Sequence, residues 1–529
     1  MNHGHGAGPV EGRGRGQAGW NGREVDAGRL TSFDANDPPG GLSRAAIRGL
    51  GWTMLRSVSS RLVGSIVFVV LARLLDPKAF GTVALASVFV VFLSLLVESG
   101  FGEAVIQRKQ VTDEDLNTAF WVNNAFGLVL ALTMAACAGW LATLFHQPEL
   151  APVLRALSLV FVLAALASVP QALLRRELRF RQIAMRGLAA TIAGGAVGVG
   201  MALAGLGVWS LVGQILANTL VGTAVLWLAC SWRPGATVSR SSFVALFRFG
   251  ANILGERVAL FASRRSDDFL IGLVLGPVAL GLYTAAYRIL LLLTEVIIWT
   301  VEGVVFPVFS RLQGDPERSK RAFYTVTQLC SAVATPAFLL LAVLAPELTL
   351  VAFGPKWTDA IPVMRVLALV GIPHAVIYFN KAVVNAGGRP NLSFRVAVLT
   401  AIVNVVGFVL VVRWGILAVA ISYVVCSYLL TPVSFWSVTR VINVEVKRYL
   451  RLFVAPMASG LVMLLSVLSA KAALAHEVTG IALIVALVFV AVTVYSLMLY
   501  LTARRFVMSM LSNGRRRLAV GRPPLADRT

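Results

Sequence analysis

The stretch LLDPKAFG at residues 74–81 returns as VLGPVALG at residues 274–281. Both share the pattern Leu-x-Pro-x-Ala-x-Gly, so that Pro77 and Gly81 recur as Pro277 and Gly281, 200 residues later. Each copy ends one apolar run and begins another. Because proline favours the first turn of a helix and glycine permits close helix packing, each copy of the pattern predicts a corner between two helices.

The composition of the whole chain indicates a membrane protein. Hydrophobic residues make up 57% of the 529 residues and charged residues 14%, and the mean hydropathy is +0.79. Soluble domains usually contain about a quarter charged residues. Many apolar stretches of roughly 20 residues are present, each long enough to cross about 30 Å of hydrocarbon as a helix. We therefore predict a polytopic, all-α membrane protein.

Polar and helix-breaking residues divide the chain into fourteen predicted spanning helices. Their limits lie near 48–75, 79–100, 116–145, 151–174, 183–204, 207–230, 243–275, 277–310, 322–353, 360–386, 391–412, 415–438, 449–474 and 477–503.

The distribution of Lys and Arg between the loops gives the predicted orientation. With the N-terminus in the cytoplasm, every second loop is rich in basic residues, and the other loops carry about one basic residue each at most. Both termini are therefore predicted to be cytoplasmic. The net charge of +22 follows from this topology and from contact with anionic lipid headgroups, so we expect no nucleic-acid partner.

Enzymatic and metal chemistry find little support in the sequence. The four cysteines stand singly in apolar runs and the five histidines are scattered, so no metal site is expected. The chain has no Walker motif and no nucleophile elbow. We therefore predict a chain that is not an enzyme and has no cofactor.

Two further similarities extend the repeat. APVLRALSLV at 151–160 returns as IPVMRVLALV at 361–370 with six of ten positions identical, and GVWSL at 207–211 returns more weakly as GILAV at 415–419. Six spans per copy place both copies the same way up in the membrane, as parallel repeats. Two such six-helix bundles would enclose a central cleft and give alternating access by rocking.

The repeat sets the predicted domain boundaries. We expect a disordered cytoplasmic tail at 1–45, an N-lobe at 46–230 and a polar cytoplasmic linker at 231–242. A C-lobe at 243–440, two appended helices at 441–503 and a basic cytoplasmic tail at 504–529 complete the chain.

Several ordered motifs resemble the polysaccharide transport branch of the MOP flippase superfamily, which includes O-antigen and colanic-acid exporters, the lipid II flippase and MATE drug transporters. They are LARLLDPKAFGTVALA, AVIQRK, GVWSLV and WRP in the first half, and DDFLIGLVLGPVALGLYTAAYRI, VVFPVFSRLQGD, FGPKW and NAGGRP in the second. The resemblance runs from about residue 46 to 440. It implies a bacterial inner-membrane flippase for polyprenyl-diphosphate-linked oligosaccharides used in surface polysaccharide biosynthesis.

Charges inside predicted spans are the candidate site residues, because a lone charge at mid-bilayer needs a polar cavity or a partner. We expect arginines of spans 1, 7 and 8 to bind a diphosphate, since guanidinium groups bind phosphate bidentately. These arginines are Arg56, Arg61, Arg257, Arg264, Arg265 and Arg288. The carboxylates Glu295, Glu302 and Asp268 are candidates for coupling to H⁺ or Na⁺.

Other interpretations of the same charges stay open. The arginines and acids can instead form internal salt bridges that close each bundle, and Arg56 and Arg257 can extend to the cytoplasmic surface. For the whole chain, the alternatives are a cation-coupled MATE-type drug antiporter and a scaffold that transports nothing. The expected partners are an undecaprenyl-diphosphate-linked oligosaccharide and membrane lipids, with a polysaccharide polymerase and a chain-length regulator as further candidates.

Overall fold

The computed structural model describes residues 62–99, 105–106, 111–177, 179–240, 261, 265–311, 315–474, 477–504 and 508. Within these ranges the secondary structure is helical throughout, with no strand. Twelve of the described helices are long and apolar enough to cross a membrane, and Leu62–Leu74 adds a shorter apolar helix. The chain is therefore an all-α, multi-pass membrane protein.

Seven of the described helices precede the polar segment 231–239, apart from the short helical fragment at 105–106. They are α1 (Leu62–Leu74), α2 (Pro77–Ser99), α3 (Asp113–Leu144), α4 (Leu150–Leu157), α5 (Leu159–Arg176), α6 (Phe180–Leu203) and α7 (Val208–Ala229). We call this group the first half. Its bounds agree with the predicted spans 2–6 to within a few residues, and the predicted first span, 48–75, is described only from residue 62.

The second half follows the same plan. It contains α8 (265–274), α9 (Gly276–Arg311), α10 (Pro316–Ala352), α11 (Ala360–Ala368), α12 (Gly371–Ala386), α13 (Pro390–Val411) and α14 (Ile416–Thr439). Two further helices are α15 (Val446–Leu474) and α16 (Gly480–Thr502). The predicted seventh span, 243–275, is described only at residue 261 and from residue 265 onward.

The fourth span of each half is divided into two helices, where the sequence predicted one continuous span. In the first half, the hydroxyl of Ser158 donates to the carbonyl of Arg155 at 2.6 Å between α4 and α5, which competes with the helical backbone bond. In the second half, Pro373 has no N–H to donate to Leu369, and the hydroxyl of Tyr428 donates to that carbonyl at 3.2 Å instead. The repeated sequence therefore forms the same broken helix twice.

The weakest of the three sequence echoes also has a structural counterpart. Gly207 and Gly415 are the residues immediately before α7 and α14, with φ of 54° and 100°. Positive φ is strained for residues with a Cβ. Both halves therefore begin their sixth span at a glycine for the same backbone reason.

The helix order defines two ends of the bundle. The corner end contains Pro77 and Pro277, where α2 and α9 begin. The opposite end, which we call the basic end, contains the arginine-rich connections from α5 to α6 and from α12 to α13. The alternation of basic and weakly charged loops therefore coincides with the two ends of the described helices.

The last two helices pack on α10 of the second half. The ammonium of Lys471 lies 2.7 Å from the Glu347 carboxylate, and the hydroxyl of Tyr495 donates to the carbonyl of Ala332 at 2.8 Å. Buried apolar residues of α10, α15 and α16 form one cluster around Val467. These two helices therefore extend the second half on its α10 side.

The polar segment between the halves is bound to the first half. The side chain of Asn117 at the start of α3 donates to Thr237 at 2.8 Å and accepts from the backbone N–H of Gly235 at 2.8 Å. The indole of Trp121 donates to the Gly235 carbonyl at 2.8 Å. The described part of this segment is thus an ordered strap across the basic end of α3.

Candidate functional site

The two corners predicted at residues 74–81 and 274–281 contact each other. A methyl group on Gly81 would overlap the carbonyl oxygen of Pro277 and stand 2.5 Å from its carbon. A methyl group on Gly281 would overlap the carbonyl oxygen of Pro77 and stand 2.8 Å from its carbon. Helices α2 and α9 therefore cross with backbones touching, and only glycine fits at the crossing. We call these four residues the corner contact.

A short motif of the second half strengthens the contact between halves. FGPKW at 353–357 forms a tight turn after α10, and its Trp357 is fully buried. The Trp357 indole donates to the carbonyl of Ala72 in α1 at 2.8 Å, and its ring packs edge-on against Phe80 at 5.3 Å. A buried indole N–H needs such a partner. The motif therefore joins the second half to α1 and α2.

Charged groups surround this contact at the corner end. Lys356 and Asp76 form an ion pair of 2.6 Å, and Arg73 donates to the carbonyls of Val351 and Ala352 at the end of α10. The ion pair is mostly exposed, so its contribution to stability is small. The arginine satisfies carbonyls that a helix end leaves unpaired. Together these groups close the corner end between the halves.

Arg288 lies in the interface of the halves, away from the corner end. It is 11 residues beyond Pro277 in α9, which places it roughly 16 Å from the corner along the helix. Its guanidinium stands over the ring of Phe68 in α1, with 5.7 Å between guanidinium carbon and ring centre. Its buried Nε has no hydrogen-bond partner among the described residues, and neither has the hydroxyl of Thr284, one turn earlier.

Arg265 and Asp268 also lie on a surface that faces the first half. They share a stripe of α8 with Phe269, whose ring contacts Phe89 and Phe145. Gly272, one turn further on, packs against Leu85 of α2. Arg265 donates to the Asp268 carboxylate at 2.7 Å, with the arginine side chain 39% exposed and the aspartate 11%. This bond is an internal salt bridge of the kind the sequence left open.

A chain of polar side chains runs through the second half beside these arginines. The hydroxyl of fully buried Tyr283 donates to the carboxylate of buried Asp267 at 3.0 Å. Tyr283 stacks on Tyr287, whose hydroxyl lies 3.4 Å from that of Tyr423. The Tyr423 hydroxyl in turn lies 3.4 Å from Nε2 of His374. The chain links α8, α9, α12 and α14 in the interior of the half.

The remaining predicted site residues have different outcomes. Arg56, Arg61, Arg257 and Arg264 lie outside the described residues, so their predicted place in the cleft stays a prediction. Glu302 belongs to α9, but its side chain is not described. Glu295 is half-buried in α9, two turns from Arg288. Within the described ranges, no group of three or more His, Cys, Asp or Glu residues could hold a metal ion.

A polar cavity of about 320 Å³ lies inside the first half between α2, α5, α6 and α7. Arg186 donates to the amide oxygen of Gln171 at 2.5 Å at its wall, and Arg175, Ser168 and Asn218 line it as well. The sequence did not predict this cavity. Its polar residues are spread over four spans without a repeating pattern.

Other functional residues that the sequence missed belong to the contact between halves. Trp357 belongs to the motif FGPKW, and Arg73 and Asp76 precede Pro77 at the first corner, but no role was predicted for any of the three. Neither Trp357 nor the tyrosines beside Asp267 carried a clear signal, because tryptophan and tyrosine are common where membrane spans meet the interface.

The family described as "Polysaccharide biosynthesis protein" matches residues 70–362, more than half of the chain. The chain belongs to this family. Among curated proteins it is 32% identical over 327 residues to the succinoglycan biosynthesis transport protein ExoT of Rhizobium meliloti (strain 1021), covering 62% of this chain and 66% of that protein. It is 27% identical over 360 residues to the lipopolysaccharide biosynthesis protein WzxC of Escherichia coli (strain K12), covering 67% and 72%.

A third relative covers more of both chains. The teichuronic acid biosynthesis protein TuaB of Bacillus subtilis (strain 168) is 24% identical over 420 residues, covering 78% of this chain and 86% of that protein. These relatives and the family match agree with the resemblance read from the sequence motifs.

Two solved structures share the fold. A structure of the lipid II flippase MurJ in an inward closed conformation has a TM-score of 0.71 at 13% identity, covering 86% of this chain and 99% of that chain. An inward-facing MATE-family multidrug transporter of the MOP superfamily has a TM-score of 0.59 at 16% identity, covering 72% and 94%. The predicted MOP-like fold is therefore confirmed.

Proposed function

We propose that this protein moves a polyprenyl-diphosphate-linked oligosaccharide from the inner to the outer leaflet of a bacterial cytoplasmic membrane, for surface polysaccharide biosynthesis. The family match and the relatives named for succinoglycan, lipopolysaccharide and teichuronic acid synthesis support the substrate class. The observation that carries the proposal is the contact of the Arg288 guanidinium in α9 with Phe68 in α1, on the interface between two similar halves.

The proposed movement is a rocking of two lobes, the N-lobe at 46–230 and the C-lobe at 243–440, that opens and closes the corner contact. In the described conformation the lobes meet at the corner end through Gly81, Gly281 and Trp357. A substrate would therefore enter from the basic end and leave after the corner contact separates. Alternating access requires that the corner contact opens and closes within the transport cycle.

Arginine at the interface suits a diphosphate. A guanidinium donates two parallel hydrogen bonds to phosphate oxygens, and the Nε of Arg288 is one such donor that no described residue uses. Arg265 is also part of the proposed site, although its bond to Asp268 must loosen or be shared when phosphate binds. Arg56, Arg61, Arg257 and Arg264 complete the proposed cationic lining from spans 1 and 7.

Carboxylates of the second lobe are the proposed coupling groups. Asp268 is bound to Arg265, so a phosphate that competes for Arg265 would free this carboxylate to take up H⁺ or Na⁺. Glu295 and Glu302 lie seven residues apart on one face of α9, as do Arg288 and Glu295. Replacement of each acid by its amide is expected to reduce transport driven by an ion gradient more than transport down a substrate gradient.

The proposed orientation places both termini and the basic end in the cytoplasm, as the loop charges favour. On this proposal the chain is a transporter without enzymatic activity, and a polysaccharide polymerase and a chain-length regulator act on the substrate after export. A cation-coupled drug antiporter is the weaker alternative, because a cationic drug needs carboxylates in the interface where Arg288 and Arg265 lie.

The test is transport of a polyprenyl-diphosphate-linked sugar in proteoliposomes, read as sugar that becomes accessible to a membrane-impermeant enzyme on the far side. Arg288→Gln should reduce the rate at least tenfold, and Arg288→Lys should restore only part of it, since lysine is a point charge without the bidentate geometry. Arg413→Gln, at an exposed arginine of the corner end, is the matched control. Equal rates in the Arg288 and Arg413 variants would contradict the proposal.

A further inference from the structure

The motif NAGGRP at residues 385–390 builds a tight turn at the basic end that the transport proposal leaves without a role. Gly387 lies so close to the Val441 side chain that a methyl group would overlap it, and Gly388 has φ of 75°. Pro390 then begins α13 at a position where proline is favoured. Gly388 is therefore favoured by the backbone conformation and Gly387 by its close contact with Val441. Neither reason applies to the arginine between Gly388 and Pro390.

The turn places three arginines around one open groove. Arg389 precedes α13, Arg395 lies in the second turn of α13, and Arg440 follows the last residue of the neighbouring helix α14. The groove has a volume of about 390 Å³ and is completed by Trp436 and Asn391. The Arg440 guanidinium stands 5.0 Å from the centre of the Trp436 ring, so the indole holds one of the three cations in place.

The charge of this groove is uncompensated by its own lining. Of its eight lining residues, all of them in the described part of the chain, three are arginines and none is acidic. All three arginines are exposed. Guanidinium groups gathered at one place repel one another, and an anion bound between them would remove that repulsion. The groove therefore has the electrostatics of a phosphate site.

The surface beside the groove is apolar and faces outward. Only 17% of the span that contains α13 is buried, the lowest fraction among the twelve described spans. Phe394, next to Arg395, is 47% exposed, and the exposed apolar side chains continue along the helix through Leu399, Ile402 and Leu410. Trp436 lies at the level of the arginines, as expected for a residue type that is enriched at membrane interfaces. A cationic groove thus adjoins a lipid-facing apolar surface.

We propose that this groove binds the headgroup of an anionic glycerophospholipid, with the acyl chains along the exposed face of α13. The arginines supply two or more contacts to phosphate oxygens and Asn391 supplies an amide donor. The site lies on the outer surface of the second half. It is distinct from Arg265 and Arg288, which face the first half. The proposal does not depend on the transported substrate.

The test is native mass spectrometry of the full-length protein titrated with phosphatidylglycerol or phosphatidylcholine in detergent micelles. We expect one phosphatidylglycerol molecule to bind with a preference over phosphatidylcholine. Each guanidinium near an anionic lipid surface contributes about fivefold in affinity, so the triple variant Arg389→Gln, Arg395→Gln, Arg440→Gln should lose roughly one hundredfold. Arg413→Gln is the control, because its exposed arginine lies at the corner end.

A variant that is expected to bind phosphatidylglycerol more tightly tests the site independently, because misfolding would only weaken binding. Asn391→Arg adds a fourth cation to the groove and should tighten phosphatidylglycerol binding several-fold in a protein whose three arginines are intact. The proposal is overturned if the triple variant, with unchanged thermal unfolding, binds phosphatidylglycerol like the wild type. It is also overturned if a polyprenyl-diphosphate lipid displaces phosphatidylglycerol from the groove at much lower concentration, since the occupant is then the transported lipid.

Discussion

The corner contact predicts that alanine at Gly81 shifts the protein toward a state that is open at the corner end. The added methyl would stand 2.5 Å from the Pro277 carbonyl carbon, whereas carbon atoms in contact are about 3.5–4.0 Å apart. Helices α2 and α9 must therefore separate by about 1 Å or more. The atom in the way belongs to the backbone, so no side-chain rotation relieves the overlap.

The size of the shift follows from the cost of overpacking. Inserting a methyl group into a well-packed contact costs about 1–3 kcal/mol, which changes the equilibrium between two conformations by about 5- to 150-fold. Gly281→Ala meets the Pro77 carbonyl carbon at 2.8 Å and should act in the same direction with similar size. The contact-closed state becomes the minor state in either variant if it is favoured by less than this amount in the wild type.

Spin-label distance measurement across the corner end is the assay. Lys78 and Val278 are neighbours of the two prolines at equivalent repeat positions, and both are exposed, so cysteines there carry labels in a background without the native cysteines. The wild type should give mainly a short distance, and the two glycine variants an additional long one. Gly200→Ala is the control, since a methyl group in α6 meets nothing within 4 Å.

Two results would contradict this prediction. If Gly81→Ala and Gly281→Ala both give the distance distribution of Gly200→Ala, the helices do not need glycine at the crossing. If the distances lengthen but transport of the lipid-linked sugar is unaffected, the corner contact is structural and is not part of the transport cycle.

Two further predictions concern hydrogen bonds beside the contact between the two halves. Trp357→Phe keeps the aromatic packing but leaves the Ala72 carbonyl without its indole donor. This change should destabilise the closed corner by about 1 kcal/mol and lengthen the spin-label distance. Trp414→Phe, at an exposed tryptophan, should leave that distance unchanged. Asp268→Asn and Arg265→Gln should each lower the free energy of unfolding by about 1–2 kcal/mol. The double variant should lose less than the sum of the two, as measured by thermal unfolding of all four proteins. Additive losses would show that the two side chains are independent.

Much of this fold follows from sequence because membrane spans obey a simple rule of length and polarity. Apart from the divided fourth spans and the partly described first and seventh spans, the described helices begin and end within several residues of the predicted limits. The arginine-rich loops lie at one end, because hydrocarbon excludes both unpaired backbone groups and charges. The repeated prolines and glycines also indicated where helices begin. These are local properties, and each is decided by residues close together in the chain.

The site was less predictable because it depends on contacts between distant segments. The sequence left open which arginines and acids pair, and the described partner of Asp268 is Arg265, three residues away. Side-chain rotamers and neighbouring helices decide such pairings, and periodicity does not show them. In the same way, no local pattern relates Trp357 to the carbonyl of Ala72, 285 residues away. The helix break before Pro373 was missed because proline is tolerated in membrane helices.

The corner contact gives a physical reason for the repeat. Gly81 lies against Pro277 and Gly281 against Pro77, so each residue of one copy touches the equivalent partner of the other, as in a symmetric dimer with a two-fold axis. Parallel repeats place that axis along the membrane normal. A symmetric interface must be self-complementary, and a change in one copy alone spoils the fit. Such a contact therefore keeps its pattern in both halves, while the charged residues of α8, α9 and the corresponding first-half helices can diverge to bind an asymmetric substrate.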